Sequence, residues 1–197
     1  ELGLVTIEVE SAAPDRETYL RRPDFGRRLS ARSRDLLAGH AAQPRDVVLV
    51  VADGLSATAV NRHAAALVTD LLPRLRTLGL RVDTACVARQ GRVALGDDIG
   101  ALLKARFCVM LIGERPGLSA SDSLGAYLTY HPGPGRSDAE RNCVSNIRPG
   151  GLSPSRAAGK IAWLVERAFA LSLSGIALKD DSDHALPPPA TRRIGDT

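Results

Sequence analysis

The chain has 197 residues, a formal net charge of +4 and 44% apolar residues. That length suits one domain with an arm, since single cores commonly gather about 100–200 residues, and such a domain folds without disulfides or metals. No uncharged apolar run approaches the ~20 residues needed to cross a bilayer, so a soluble chain with no membrane partner is expected. Three scattered cysteines, Cys86, Cys108 and Cys143, offer neither a disulfide framework nor a zinc spacing,. A reducing cytoplasm is the expected home. No signal peptide precedes Glu1, and without an initiator Met the sequence is expected to begin inside a longer chain,. Positive charge comes from 23 arginines against three lysines. Guanidinium groups grip phosphates and carboxylates bidentately, although genomic base composition gives the same bias.

Residues 1–17 alternate weakly through Leu4, Thr6, Glu8 and Glu10. Seven arginines then lie between Arg16 and Arg34, with Tyr19, Phe25 and Leu29 among them. A nucleic-acid arm has that footprint. Asp15, Glu17, Asp24 and Asp35 dilute the field, so residues 1–40 are read instead as a partner-facing helical arm, truncated at its start,.

Val47–Val51 is a β-branched run of the kind covered on both faces,. It ends at Asp53-Gly54, and Ser56 is placed to cap a helix whose apolar positions Val60, Ala64, Leu67, Val68, Leu71 and Leu75 step by three and four,. Pro73 predicts a kink or restart, and Gly79 an end. Arg81–Ala88 reads as a second strand and Gln90–Gly96 as a loop. Asp97 and Asp98 open the next helix, and Phe107–Ile112 is a third strand breaking into Gly113-Glu114-Arg115,. Ser137–Glu140 has capping-box spacing and predicts a short helix holding Arg141, Asn142 and Cys143. Ser153-Pro154 starts another helix, which Gly175 should end, and Ile176–Lys179 reads as a last strand. Residues 181–197 form a polar, proline-rich tail expected to be poorly ordered. The alternation predicts an α/β fold with a parallel sheet, occupying residues 41–180, with ligands beyond the carboxyl ends of the strands. The loops at Asp53-Gly54, Ala88–Gly91 and Gly113–Arg115 should then share one rim.

Chemistry is harder to find. One glycine at the first turn fails the dinucleotide signature, and no P-loop or Gly-x-Ser-x-Gly elbow occurs,. His40, His63, His131 and His184 form no metal spacing, and His63 reads as a core or surface residue of its helix,. Cys143 is either a nucleophile activated by Arg141 and Arg148 or a small buried residue. Glu114, at a strand's carboxyl end, is either paired with Arg115 or held to accept hydrogen bonds from a ligand. Tyr127, Tyr130, Asn142, Ser145 and Asn146 add neutral donors and acceptors suited to a large amide-rich ligand.

Seven blocks carry a resemblance: Tyr19–Gly26, Val51–Ser56, Gly91–Asp98, Leu111–Ser119, Asp122–Tyr127, Arg141–Arg148 and Ser174–Lys179. Together they closely resemble the small subunit of ethanolamine ammonia-lyase, an adenosylcobalamin-dependent carbon–nitrogen lyase that converts ethanolamine to acetaldehyde and ammonia. The resemblance implies a Rossmann-like three-layer parallel sheet flanked by helices, with an N-terminal helical arm. It implies a hetero-oligomer with a TIM-barrel large subunit and cobalamin held at their interface. The family's cobalamin-contacting positions fall on Val93, Glu114 and Cys143, with Glu114 as acceptor and the other two as packing surface. Radical chemistry belongs to the cofactor, substrate contacts belong to the large subunit, and no catalytic residue or metal ligand is assigned here. The absence of Asp-x-His-x-x-Gly predicts base-on cofactor. Stoichiometry and residence in a bacterial microcompartment are not legible. The competing readings are a stand-alone nucleotide- or ligand-binding module or an assembly adaptor. Nucleic-acid binding through the arginine-rich arm ranks behind both.

Overall fold

The computed structural model describes residues 2–41, 43–118 and 120–185. Its strands are β1 (Val5–Glu10), β2 (Arg45–Ala52), β3 (Thr84–Arg89), β4 (Ala105–Gly113), β5 (Leu124–Tyr130) and β6 (Arg141–Ile147). They form one sheet in the order β1-β3-β2-β4-β5-β6. The first four are parallel, whereas β5 runs against both β4 and β6. The α/β class therefore stands, but the wholly parallel sheet is corrected to a mixed one. Chain length is the reason: only residues 114–123 separate β4 from β5, and a parallel return needs a crossover of a dozen residues or more,.

Helices cover both faces. On one lie α4 (Ala57–Thr77) and α6 (Pro154–Leu171), on the other α3 (Ala31–Gly39) and α5 (Leu95–Leu102). Ser56 caps α4 by accepting from Ala59 N at 3.2 Å, and Leu67, Leu71 and Leu75 meet Leu49, Phe107 and Val109 in the core. Each such fully buried aliphatic side chain contributes about 1.5–3 kcal/mol. The restart expected at Pro73 does not occur. Pro73 deprives the Thr69 carbonyl of its usual donor, but Leu71, Leu72 and Leu75 are buried on either side and keep the helix on the sheet. His63 is a buried member of this helix, with Nε2 3.3 Å from Asp122 Oδ2.

Two local expectations fail at the far edge. The capping box at Ser137 and Glu140 forms, yet it closes only a single 3-10 turn (Asp138–Glu140), and Arg141, Asn142 and Cys143 begin β6. Polar residues suit that strand because one of its faces is left uncovered. Ile176–Lys179 is no strand either: Gly175–Ala177 is a 3-10 turn. Asn142 clamps it, accepting from Gly175 N at 2.8 Å and donating to the carbonyls of Gly175 and Leu178 at 3.1 and 2.9 Å. Helix α6 ends earlier than expected, at Ser172 rather than Gly175. Of the expected tail, residues 186–197 lie outside the described residues. Ser182–Ala185 forms a short helix, α7, beside α6.

The amino-terminal segment is integrated with the sheet. Strand β1 pairs with β3. Helices α1 (Arg16–Arg21) and α2 (Pro23–Gly26) lie at the carboxyl rim, where fully buried Tyr19 donates to Gly91 O at 3.1 Å. Several of its arginines have internal partners: Arg16 donates to Gly54 O at 2.9 Å, Arg22 pairs with Asp24, and Arg34 pairs with Asp98. Among the described residues no helix is long and apolar enough to cross a membrane.

A buried ion pair ties α5 to β6. Arg141 donates to both oxygens of Asp97, at 3.1 and 2.7 Å, and their side chains are only 2% and 6% exposed. Burial pushes the Asp97 carboxyl up to about 6 against the opposing pull of Arg141, leaving it ionised at neutral pH. Replacing Asp97 by Asn strands the guanidinium and should destabilise the fold by about 3–5 kcal/mol in urea unfolding. Adding Arg141→Met should restore a large part of that loss, and a double variant no more stable than the single one would count against this account.

Candidate functional site

The crossover after β2 runs through α4 on one face and the one before β4 runs through α5 on the other. Open α/β sheets bind ligands where such a reversal parts the loops. Here the gap between β2 and β4 is pinned shut at its base. Gly54, at φ +55°, lies so close to Gly113 that a Cβ on either residue would collide with backbone of the opposite loop, and Leu55 N donates to Gly113 O at 2.9 Å. Gly91 N donates to Asp53 Oδ1 at 3.2 Å. The three loops expected to share a rim therefore meet.

Above this junction lies a cleft of about 280 Å³ lined by Tyr19, Val93, Ile112, Glu114 and Tyr127 among others. A second, of about 580 Å³, shares Arg92, Val93 and Tyr127 with it and continues toward Asp138. The two form one trough. Its floor continues onto the β5–β6 pair, where Tyr127 and Cys143 are register partners. The opposite face of that pair is sealed by Leu124, Ala126, Leu128 and Val144 against α6. Among the described residues no helix covers the Tyr127 face beyond α5, and Cys143 and Ser145 are exposed there.

Glu114 stands at the head of the trough. Its Oε2 accepts from Ser123 Oγ in a short hydrogen bond and from Asn146 N at 3.2 Å, and no ion pair joins it to Arg115 among the described residues. Asn146 can reach it because a bulge shifts the β5–β6 register between Leu124 and Ala126 and Asn146 adopts φ +58°,. The other oxygen, Oε1, lies over Gly125, where a Cβ would come within 2.9 Å of it. Both bonds end on Oε2, which leaves Oε1 without a hydrogen-bond partner among the described residues and available as an acceptor over the sheet floor,.

Val93 is half-buried just before α5 and lines both clefts. Cys143 faces Tyr127 across the strand pair. Although the residue is exposed, partial desolvation of the thiol by its neighbours raises its pKa, the Tyr127 hydroxyl opposes that shift, and the Glu114 charge adds to it. The arginines flanking Cys143 in sequence do not activate it, because Arg141 is turned to Asp97 and Arg148 Nε donates to Asn146 Oδ1 at 2.9 Å. Burial, with Cys143 and Glu114 nearby, pushes the Tyr127 phenol up to about 12, so it remains a neutral donor. Val93, Glu114 and Cys143 thus gather around Tyr127. Of the neutral residues grouped with them in sequence, Tyr130 packs in the opposite core beside Phe107 and Phe169, and Asn142 holds the Gly175 turn. Ser123 and Arg92 carry no local signal of a role: Ser123 reaches Glu114 only through the β4–β5 pairing, and Arg92 lines both clefts only because Tyr19 packs against it.

These features define an α/β protein with a one-sided trough at the carboxyl rim of its sheet. The chain belongs to the ethanolamine ammonia-lyase light chain family, whose model matches residues 1–179. It is 60% identical over 181 residues to the ethanolamine ammonia-lyase small subunit of Rhodopseudomonas palustris, a match covering 92% of this chain and 69% of the relative. It is 56% identical over 195 residues to that of Bradyrhizobium diazoefficiens, covering 98% and 73%. With that of Azotobacter vinelandii the identity is 52% over 187 residues, covering 93% and 69%. The chain is accordingly a component of an ammonia-lyase.

The electrostatics make a testable statement about the thiol. Because its pKa is raised, Cys143 should alkylate more slowly at pH 7 than a free cysteine, with the rate climbing as pH rises past the ordinary thiol range,. Glu114→Gln removes one raising charge and should speed alkylation at fixed pH. Cys86, pushed up to about 12, and buried Cys108 should stay unmodified in the folded protein. Mass-resolved iodoacetamide kinetics would read all three sites.

Proposed function

We propose that this chain is one half of an adenosylcobalamin socket in an ethanolamine ammonia-lyase, and that a large subunit with a TIM-barrel fold completes it in a hetero-oligomer. The observation that carries the reading is the Glu114 carboxylate, anchored through Oε2 with Oε1 left free over a glycine floor. A corrin is broad, flat and fringed with amides. The trough offers such a group an acceptor at Glu114, a neutral hydroxyl at Tyr127 and packing surface at Val93 and Cys143. A cleft of about 280 Å³ encloses only part of so large a ligand, which is why the remaining walls are assigned to the partner,.

When bound, adenosylcobalamin supplies the radical chemistry that converts ethanolamine to acetaldehyde and ammonia. This chain's residues do other work. Glu114 fixes the orientation of the ligand's rim by accepting an amide N–H. Val93, Ile112 and Tyr127 exclude water from the face they cover. The Gly54–Gly113 junction holds both groups in one frame. Substrate contacts are assigned to the partner, and the base-on form of the cofactor is part of the proposal. The Rossmann-like character of the sheet is part of the same proposal, supported by its four parallel strands with helices on both faces and limited by the antiparallel β5.

Reconstitution with a large subunit and adenosylcobalamin, omitting each component in turn, should give acetaldehyde only when all three are present. Full turnover without the large subunit would overturn the proposal. Glu114→Ala should weaken cofactor binding by about 1–3 kcal/mol in the reconstituted complex, the scale of a lost hydrogen bond, with the fold retained although the contacts to Ser123 and Asn146 are lost,. An unaltered cobalamin Kd would remove Glu114 from the site.

A further inference from the structure

The segment joining β4 to β5 carries Glu114 at one end and Ser123 at the other, and the two ends meet. Glu114 N donates to Ser123 O at 2.9 Å, and Ser123 Oγ donates to Glu114 Oε2. Between them the loop holds itself weakly. Among the described residues, 115–118 and 120 make a single hydrogen bond, Gly117 N to Ala120 O at 2.9 Å, and Leu118 is fully exposed. Strand β5 fixes Ser123 from its carboxyl side. On its amino side the hold comes from α4.

Ser56, the cap of that helix, donates through Oγ to Ser121 O at 3.2 Å. One residue on, Asp122 Oδ2 accepts from Arg62 Nη1 at 2.9 Å and lies 3.3 Å from His63 Nε2. The Arg62 bond chiefly, with His63 adding to it, holds the Asp122 carboxyl below the usual carboxylate range against partial desolvation, so it is ionised at neutral pH. As anchors the two partners are unequal. The Arg62 side chain is 61% exposed, and an ion pair in water adds little,. The His63 side chain is only 7% exposed. A carboxylate oxygen only accepts, so Nε2 carries the proton, and losing Asp122 would strand a buried N–H. The histidine contact is therefore what locks the loop to the helix. Residues 121, 122 and 123 are tied in succession to Ser56, to His63 and to Glu114.

We propose that Asp122 is a positioning residue for the cofactor site: clamped by His63, it sets how Ser123 meets Glu114 and so where Glu114 Oε1 points. Its bearing on the cofactor rests on the function proposed above, whereas the mechanical link to Glu114 exists in this chain alone. Without the clamp the loop gains freedom, Glu114 Oε2 exchanges the Ser123 hydroxyl for water, and the carboxylate leaves the Gly125 floor and the neighbourhood of Cys143.

The Cys143 thiol reports the position of that carboxylate with no cofactor present, because the Glu114 charge raises its pKa. Alkylation of Cys143 at fixed pH would be followed on the full chain, and adenosylcobalamin binding by equilibrium dialysis on its complex with the large subunit. Both would use wild type, Asp122→Ala, Asp122→Asn, Ser123→Ala, Glu114→Ala and the double variant Asp122→Ala with Glu114→Ala. Asp122→Ala should speed alkylation and weaken cofactor binding about fivefold, the weight of one hydrogen bond. In the Glu114→Ala background it should change neither, because the group it positions is gone, whereas a general loss of packing would act alike in both backgrounds. Asp122→Asn keeps an oxygen that accepts from His63 and should recover most of the wild-type behaviour. Ser123→Ala cuts the link one residue later while His63 stays paired, and should reproduce both effects even if Asp122→Ala does not fold. Equal effects in the two backgrounds, or wild-type alkylation and binding in Asp122→Ala and Ser123→Ala, would overturn the positioning role. The function proposed above fails on a different result, a complex whose cofactor affinity ignores Glu114, and alkylation then still decides whether Asp122 holds that carboxylate.

Discussion

The geometry of the trough depends on the ion pair between Asp97 and Arg141. Val93 lies just ahead of α5, whose first turn carries Asp97, whereas Cys143 lies two residues beyond Arg141 on β6. The pair therefore sets the distance between two walls that share no backbone hydrogen bonds among the described residues. Taking both charges out of water costs several kcal/mol per ion, and a bidentate geometry is what makes the arrangement tolerable. The upward displacement of the Asp97 carboxyl records that tension: burial outweighs even a guanidinium in direct contact. A pair of apolar residues would stabilise the junction as well, but would not fix its register.

The sheet's two faces are finished to different degrees. On the α4–α6 side the core is continuous from Leu49 through Phe107 to Val144 and Ile147. On the other, α3 and α5 cover the parallel strands and stop, so the reversed strand β5 and its neighbour β6 present Tyr127 and Cys143 to the trough and to solvent. The reversal of β5 contributes directly to the site. It brings Ser123 beside Glu114 and places the bulge where Asn146 can donate to the same carboxylate. A sixth strand arriving by a helical crossover would have put a helix near that floor.

The amino-terminal segment joins the site from the other direction. Tyr19 is held between the guanidiniums of Arg16 and Arg92, at 4.6 and 4.2 Å, with its hydroxyl on Gly91 O. This contact fixes the loop before Val93, where Arg92 lines both clefts of the trough. The arginine-rich stretch is thus used largely for internal packing and for the trough wall.

Much of this protein was legible in the residues. Continuous apolar runs specified β2 and β4, three-and-four spacing specified α4, Ser153-Pro154 marked the start of α6, and Asp97 and Asp98 that of α5, because each signal is local. The seven blocks carried the family, since their order along the chain survives without knowledge of the fold. Tertiary structure decided the rest. Ser137–Glu140 has the sequence of a helix start, but Arg141 finds its partner in Asp97, 44 residues away, and the chain extends into a strand. Ile176–Lys179 has the sequence of a strand, but Asn142 pins Gly175 at both its N–H and its carbonyl and takes the Leu178 carbonyl, which holds the segment in a turn. The direction of β5, the anchoring of Glu114 by Ser123 and the convergence on Tyr127 all arise from pairings between segments distant in sequence, and local propensity carries no information about which of those pairings wins.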